Sequence, residues 1–308
     1  MMPAQPYIAV IMPAYNAEKT VGAAIDSVLG QDFKDFILIV INDCSTDSTG
    51  SIIDERLKNH SNAYVYHKPM REGYACALID GFRGGPAVYV MCCDADDTMR
   101  PGALSALAQE ATKTNADIVF APYVQHVGDK TKLVTPKADI RSLNDMPIDT
   151  AHFALWNKLI KTYVLDESAK PFPGLDRWAD LAIVAKLMTQ VRKIAQISTP
   201  VYNYFERPGV VTLARSSKEK LLSDHIAIAV KLVDWFNEQG YSDKYNEFLD
   251  HLMFCAKIKY ARAPHRDLRK WHETFPQVNS RIMQLRHIPL AYRMLFQAAH
   301  LSQRILGR

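Results

Sequence analysis

Five short runs dominate the first 121 residues: YIAVIM at 7–12, FILIVI at 36–41, AYVYH at 63–67, AVYVMCC at 87–93 and ADIVFA at 116–121. They are apolar at nearly every position rather than at alternate ones, so each must be covered on both faces, as strands sandwiched between helices are. The intervening segments carry the helical period. In 18–29, Val21, Ala24, Ile25, Val28 and Leu29 fall at i, i+3, i+4, i+7 and i+8, and Gly30 is placed to end the helix. Leu104, Leu107, Ala108 and Ala111 repeat the stripe within 101–112, where Pro101 suits a first helical position. This alternation predicts an α/β fold with a mainly parallel sheet and helices on both faces.

Farther along, 122–150 loses periodicity around Pro122, Pro136 and Pro147 and reads as a surface excursion. Helices are expected near 149–160 and 177–190, followed by strand-like KIAQIS (193–198) and PVYNYF (200–205). After Pro208 and Gly209 the pattern is helical, with Leu221, Leu222, Ile226, Ala229, Val233 and Phe236 marking one amphipathic helix. A boundary near residue 213 is expected, dividing 1–213 from a helical C-terminal region, 214–308.

Charge distribution narrows the partners. The net charge is +4, yet no acidic residue follows Glu273, and 274–308 carries five Arg, leaving 32 basic against 33 acidic residues elsewhere. The basic character belongs to the tail, which argues against a nucleic-acid-binding body. Within 281–306, Ile282, Leu285, Ile288, Leu290, Leu295, Leu301 and Ile305 accompany only basic charge, a pattern that suits either an anionic membrane surface or packing against the body. The five Cys lack C-x-x-C spacing, against zinc ribbons and disulfide frameworks. The apolar runs fall short of the ~20 residues that span a bilayer. No charged region followed by an apolar run opens the chain. The expectation is a cytoplasmic protein, with the tail a means of peripheral attachment to the inner face of a membrane.

In open α/β sheets ligands bind beyond the carboxyl ends of the strands. The residues there are PAYN (13–16), NDCSTDST (42–49) and the triplet Asp94, Asp96 and Asp97. Neither G-x-G-x-x-G nor the G-x-x-x-x-G-K-[ST] phosphate loop occurs. Three carboxylates within four residues repel one another, and a divalent cation, Mg or Mn, is the natural compensation. The competing reading is a solvated acidic turn that caps the next helix. NDCSTDST likewise reads as an Asx-turn and cap, although Asp43 stands where a carboxylate could accept the imide hydrogen of a nucleobase.

PAYNAEKT, IVINDCSTDST, EGYACALIDG, VMCCDADD, WNKLIK and PFPGLDRWAD follow one another in an order and spacing that resembles the family 2 glycosyltransferases of GT-A fold, over residues 7–212. The resemblance implies inverting transfer of a sugar from a nucleotide diphosphate, usually UDP, to a glycan or lipid-linked acceptor. It implies nucleotide contacts from Pro13, Tyr15, Asn16, Asp43 and Asp94, metal ligation by Asp96 and Asp97, and a general base in an acidic pair that reads here as Ala179 and Asp180. Asp176 is the rival base, four residues upstream on the same helix face if the helix begins early. Trp156, Asn157 and Lys158 match a W-N-K segment and are candidates for acceptor binding, with Trp156 equally suited to the core. Arg207 could reach the diphosphate once a loop closes, the competing reading being a lone surface Arg before Pro208.

The chain departs from the family at Asn42, in place of the first Asp of the usual pair, and at Ala179, in place of Glu. Leu78 and Ile79 stand where Arg and Asn are usual. Metal-assisted departure of the diphosphate needs one base and no leaving-group acid, whereas a glycosidase needs two flanking carboxylates. A sugar nucleotidyltransferase is the alternative enzyme, disfavoured by the lack of a glycine-rich, Arg-containing loop after the first strand. A degenerate sugar-nucleotide-binding protein is the non-enzyme alternative, motivated by the departures.

Overall fold

The computed structural model describes residues 6–85, 87–165, 170–172, 175, 178–207, 218–262, 268–286 and 288–306. The chain divides into two compact units, Met1–Arg141 with Thr150–Leu213, and Ser142–Asp149 with Ala214–Arg308.

The first unit is built on a seven-stranded sheet. Its parallel half comes from β1 (Ile8–Ala14), β2 (Phe36–Asn42), β3 (Ala63–His67) and β4 (Tyr89–Cys92), in the order β4-β1-β2-β3. The connections are α1 (Val21–Leu29), α2 (Thr49–Leu57) and α3 (Tyr74–Gly84). Every residue of β1 is buried, as its unbroken apolar run requires. The predicted stripe of α1 buries Val21, Ala24, Ile25 and Val28. α3 lies so close to β1 that a Cβ on Gly81 would stand 2.2 Å from Ile11 Cγ2, so only glycine fits.

β5 (Thr98–Met99) and α4 (Ala103–Thr114) follow, then β6 (Ile118–Phe120). The expected surface excursion instead holds a hairpin, β7 (Tyr123–Val127) and β8 (Lys130–Val134), turning at Gly128 with φ 55°. The expected helix at 149–160 is only the short α5 (Thr150–Phe153), and the rest becomes β9 (Lys158–Lys161). β9 runs antiparallel to both β4 and β6, which buries Leu159 and Ile160 in the sheet interior. An apolar run this short fits helix or strand equally in isolation, and partners on both sides decide it.

After α6 (Ala179–Leu187), β10 (Ile194–Gln196) completes the order β10-β6-β9-β4-β1-β2-β3. β11 (Tyr202–Glu206) joins a second, four-stranded sheet, β5-β11-β7-β8. This is a mixed α/β architecture with a mainly parallel sheet, as the sequence implies.

The second unit is helical: α7 (Lys218–Glu238), α8 (Asn246–Arg262), α9 (Leu268–Glu273), a 3₁₀ segment (Pro276–Gln284) and α10 (Leu290–Leu306). The buried stripe of α7 is His225, Ile228, Ala229, Leu232 and Phe236, so Ile226 and Val233 of the expected set stand at its edge. Ile282, Leu285 and Phe296 of the tail are buried, and Phe296 stacks on Trp271 at 5.6 Å. Leu290, Met294, Leu295 and Leu301 remain exposed. Among the described residues no helix is long and apolar enough to cross a membrane.

Candidate active site

The register of the sheet brings three loops to one edge. Ala14 pairs with Asn42, Asn42 with His67, and Ile11 with Cys92, so PAYN, the 42–49 loop and the acidic turn emerge side by side. The turn after β4 is clamped from β11. The Asp94 N–H donates to the Tyr202 hydroxyl at 2.9 Å, and the Phe205 N–H donates to Asp97 Oδ1 at 2.8 Å.

One carboxylate oxygen from each of Asp94, Asp96 and Asp97 lies within 4.8 Å of the other two. Burial and mutual repulsion disfavour their charged forms. Burial, with Asp97, Asp180 and Asp96 nearby, holds Asp94 far above the usual carboxylate range. Asp97 is pushed up to about 7 by burial and Asp96. Asp96 is raised by burial, with Arg207 opposing. Arg207 places Nη1 3.4 Å from Asp96 Oδ2 and 4.0 Å from Asp97 Oδ1, which brings it to the acidic turn. That Nη1 is buried and has no hydrogen-bond partner among the described residues.

Asp180 opens α6 close to the turn. Its Oδ2 accepts the Leu155 N–H at 3.4 Å, while Oδ1 is buried and has no hydrogen-bond partner among the described residues. Burial pushes its carboxyl up to about 6, against the pull of the Leu155 N–H, Lys158 and the Tyr74 hydroxyl. Tyr74, the first residue of α3, donates to Asp94 Oδ1 at 3.2 Å. Sequence reasoning missed Tyr74, because an aromatic residue at a helix start carries no signal of its own. Asp176 lies outside the described residues.

The nucleotide-side candidates sit on the neighbouring loops. Asp43 is 3% exposed, and its carboxylate accepts the N–H groups of Glu72 (2.9 Å) and Gly73 (2.8 Å). It therefore anchors the turn into α3, where Gly73 adopts φ 96°, a backbone that favours glycine. Asn42 Nδ2 meets His67 Nδ1 at 2.9 Å, and Asn42 Oδ1 accepts the Ser45 hydroxyl at 2.6 Å. One amide thus bridges the His67 ring and the Ser45 hydroxyl. Asn16, with φ 47°, accepts the Thr46 N–H at 2.8 Å and ties PAYN to the 42–49 loop. Pro13 is buried within β1. The Tyr15 ring is exposed, with the Arg71 guanidinium 3.9 Å above it.

The W-N-K segment is placed differently from its expected acceptor role. Trp156 is 3% exposed, stacked on Tyr202 (4.5 Å) and Tyr204 (5.3 Å) and edge-on to Tyr123 (4.7 Å). Asn157 is fully buried and donates to the carbonyls of Ala121 (3.1 Å) and Ala151 (2.9 Å). Lys158, also fully buried, donates to the Ala154 carbonyl and to Asn157 Oδ1. Interior hydrogen bonding consumes the polar atoms that an acceptor would have to meet. The Lys158 charge favours the charged form of Asp180.

The sequence model of Glycosyl transferase family 2 matches residues 9–166, half of the chain, including the PAYN, 42–49 and acidic loops. The chain belongs to glycosyltransferase family 2. The uncharacterized glycosyltransferase EpsJ of Bacillus subtilis is 24% identical over 218 residues, which are 67% of this chain and 63% of EpsJ. The chain thus spans under two thirds of that relative's length. A Campylobacter jejuni GalNAc(5)-diNAcBac-PP-undecaprenol beta-1,3-glucosyltransferase is 30% identical over 128 residues, 41% of each chain. Among solved structures, S. aureus TarS in complex with UDP-GlcNAc superposes with a TM-score of 0.71 at 20% identity, covering 97% of this chain and 91% of that one. This family 2 chain therefore has the GT-A fold.

Proposed function

We propose that the protein is an inverting, metal-dependent glycosyltransferase that moves a sugar from a nucleotide diphosphate donor, a UDP-sugar, to a glycan or lipid-linked acceptor in cell-surface polysaccharide or glycolipid synthesis. The observation that carries the reading is the acidic turn, three carboxylates within 4.8 Å, set beside the buried carboxylate of Asp180. The UDP-GlcNAc bound to TarS and the undecaprenol-linked substrate in the C. jejuni enzyme's name support this choice of donor and acceptor classes.

The donor set fits a divalent ion. Hard carboxylate oxygens converge, and burial raises both Asp96 and Asp97, so a cation would relieve a repulsion that Arg207 offsets only in part. Asp96 and Asp97 would hold Mg or Mn, which when bound supplies Lewis-acid stabilisation of the departing diphosphate. Asp94 would take the ribose hydroxyls, Asp43, Tyr15 and Asn16 the base side, with Pro13 shaping the strand end, and Arg207 the diphosphate. Asp180 would accept the acceptor hydroxyl's proton through Oδ1, which has no hydrogen-bond partner among the described residues. Attack from the face opposite the diphosphate then inverts the anomeric carbon.

In this reading residues 1–213 carry catalysis, and 214–308 is a helical region whose exposed Leu290, Met294 and Leu295 meet an anionic membrane at its cytoplasmic face. A panel of nucleotide sugars, scored for nucleotide diphosphate release with Mn present or chelated, tests the proposal. Release of UDP that depends on Mn and on Asp180 supports it. Pyrophosphate release from UTP, or binding without turnover, refutes it.

A further inference from the structure

The Tyr74 hydroxyl stands between two carboxylates of the site. It donates to Asp94 Oδ1 at 3.2 Å, and it lies near enough to Asp180 to favour that residue's charged form. A phenol has one proton to donate, so it serves one carboxylate at a time. Among the described residues, Asp180 has a buried Oδ1 with no hydrogen-bond partner, and its other oxygen is held by the Leu155 N–H at a long 3.4 Å. A base with so few direct anchors needs another group to fix its direction. Tyr74 is itself well fixed: it opens α3 directly after Gly73, whose N–H is gripped by Asp43 at 2.8 Å.

We infer that Tyr74 is a positioning residue for Asp180, its phenol linking the base to Asp94 on the donor side. The inference rests on the reading of Asp180 as the base. Ribose hydroxyls donating to Asp94 would satisfy the oxygen that Tyr74 now serves and leave the phenol free to turn toward Asp180. Donor occupancy and base orientation would then be coupled through one side chain. The chain runs from Asp43 through the Gly73 backbone to Tyr74, so the base-side loop and the proton acceptor share one support.

The test is Tyr74→Phe, which removes the hydroxyl and keeps the ring. The expected result is a kcat lower by about tenfold, with donor KM and UDP dissociation constant within twofold of wild type and an unchanged melting temperature. A double-mutant cycle provides the second readout. If Tyr74 acts through Asp180, Tyr74→Phe combined with Asp180→Asn turns over no more slowly than Asp180→Asn alone. Wild-type kcat in Tyr74→Phe, or losses that multiply in the double variant, overturns the inference. If Asp180→Asn itself keeps full turnover, the base assignment fails first, and that outcome is distinct from an active Tyr74→Phe beside an inactive Asp180→Asn.

Discussion

Asp180→Asn tests the catalytic reading most directly. The amide is nearly isosteric and can still accept the Leu155 N–H, so the local fold should persist while proton acceptance is lost. Loss of a general base costs about 100- to 10,000-fold, or about 3 to 5 kcal/mol of barrier. The structure also sets where the wild-type enzyme should lose activity. Burial pushes the Asp180 carboxyl up to about 6, so the charged, base-competent form dominates at pH 7.5 and falls to about one-tenth at pH 5. The value of kcat/KM, which reports groups of the free enzyme, should therefore drop about tenfold per pH unit below 6. The assay is UDP release against pH for wild type and Asp180→Asn, with UDP affinity measured separately. A wild-type profile flat to pH 5, or an Asn variant within threefold of wild type, would refute the argument.

Four further outcomes follow from the structure. Asp96→Asn should weaken Mn binding, read by the electron paramagnetic signal of free Mn, while the metal-free protein melts no lower than wild type because the repulsion of Asp94 and Asp97 by Asp96 has been relieved. Gly81→Ala should cost about 1–3 kcal/mol by urea denaturation, since its Cβ would collide with Ile11; an unchanged midpoint would show that α3 can retreat. Lys257 is fully buried and its ammonium is lowered to about 7, so the fold favours its neutral form, and the cost is full below pH 7 and gone above 10.5. Lys257→Met should accordingly stabilise by about 1–3 kcal/mol at pH 6.5, after the loss of its bond to Asn279, and by less at pH 9.5; a gain independent of pH would remove the explanation. Leu290→Gln with Leu295→Gln should reduce binding to anionic vesicles without lowering the melting temperature, and equal binding would disconnect α10 from membranes.

The parallel half of the sheet was legible because its signal is local. β1 and β2 are continuous apolar runs, and the α1 stripe repeats at the helical period within one window. β9 was not, because WNKLIK becomes a strand only where β4 and β6 offer it edges on both sides. The β7–β8 hairpin was hidden for a related reason. β8 is exposed along most of its length and has little hydrophobic pattern, and its pairing with β7 supplies what the sequence lacks.

Within the site, the legible residues were those whose chemistry is unusual at their position. Three aspartates after a buried strand need compensation wherever they occur, and the structure gathers them within 4.8 Å. Lys158 and Tyr74 break that logic from opposite sides. Lys158 looks like a ligand-binding cation, but its ammonium is consumed by the Ala154 carbonyl and Asn157, and it reaches Asp180 only through its field. Tyr74 looks like an ordinary helix-start aromatic, yet the turn that Asp43 holds at Gly73 carries its hydroxyl to Asp94. A residue's type shows what it can donate or accept. Which partner it meets depends here on a backbone turn fixed by a carboxylate thirty residues earlier.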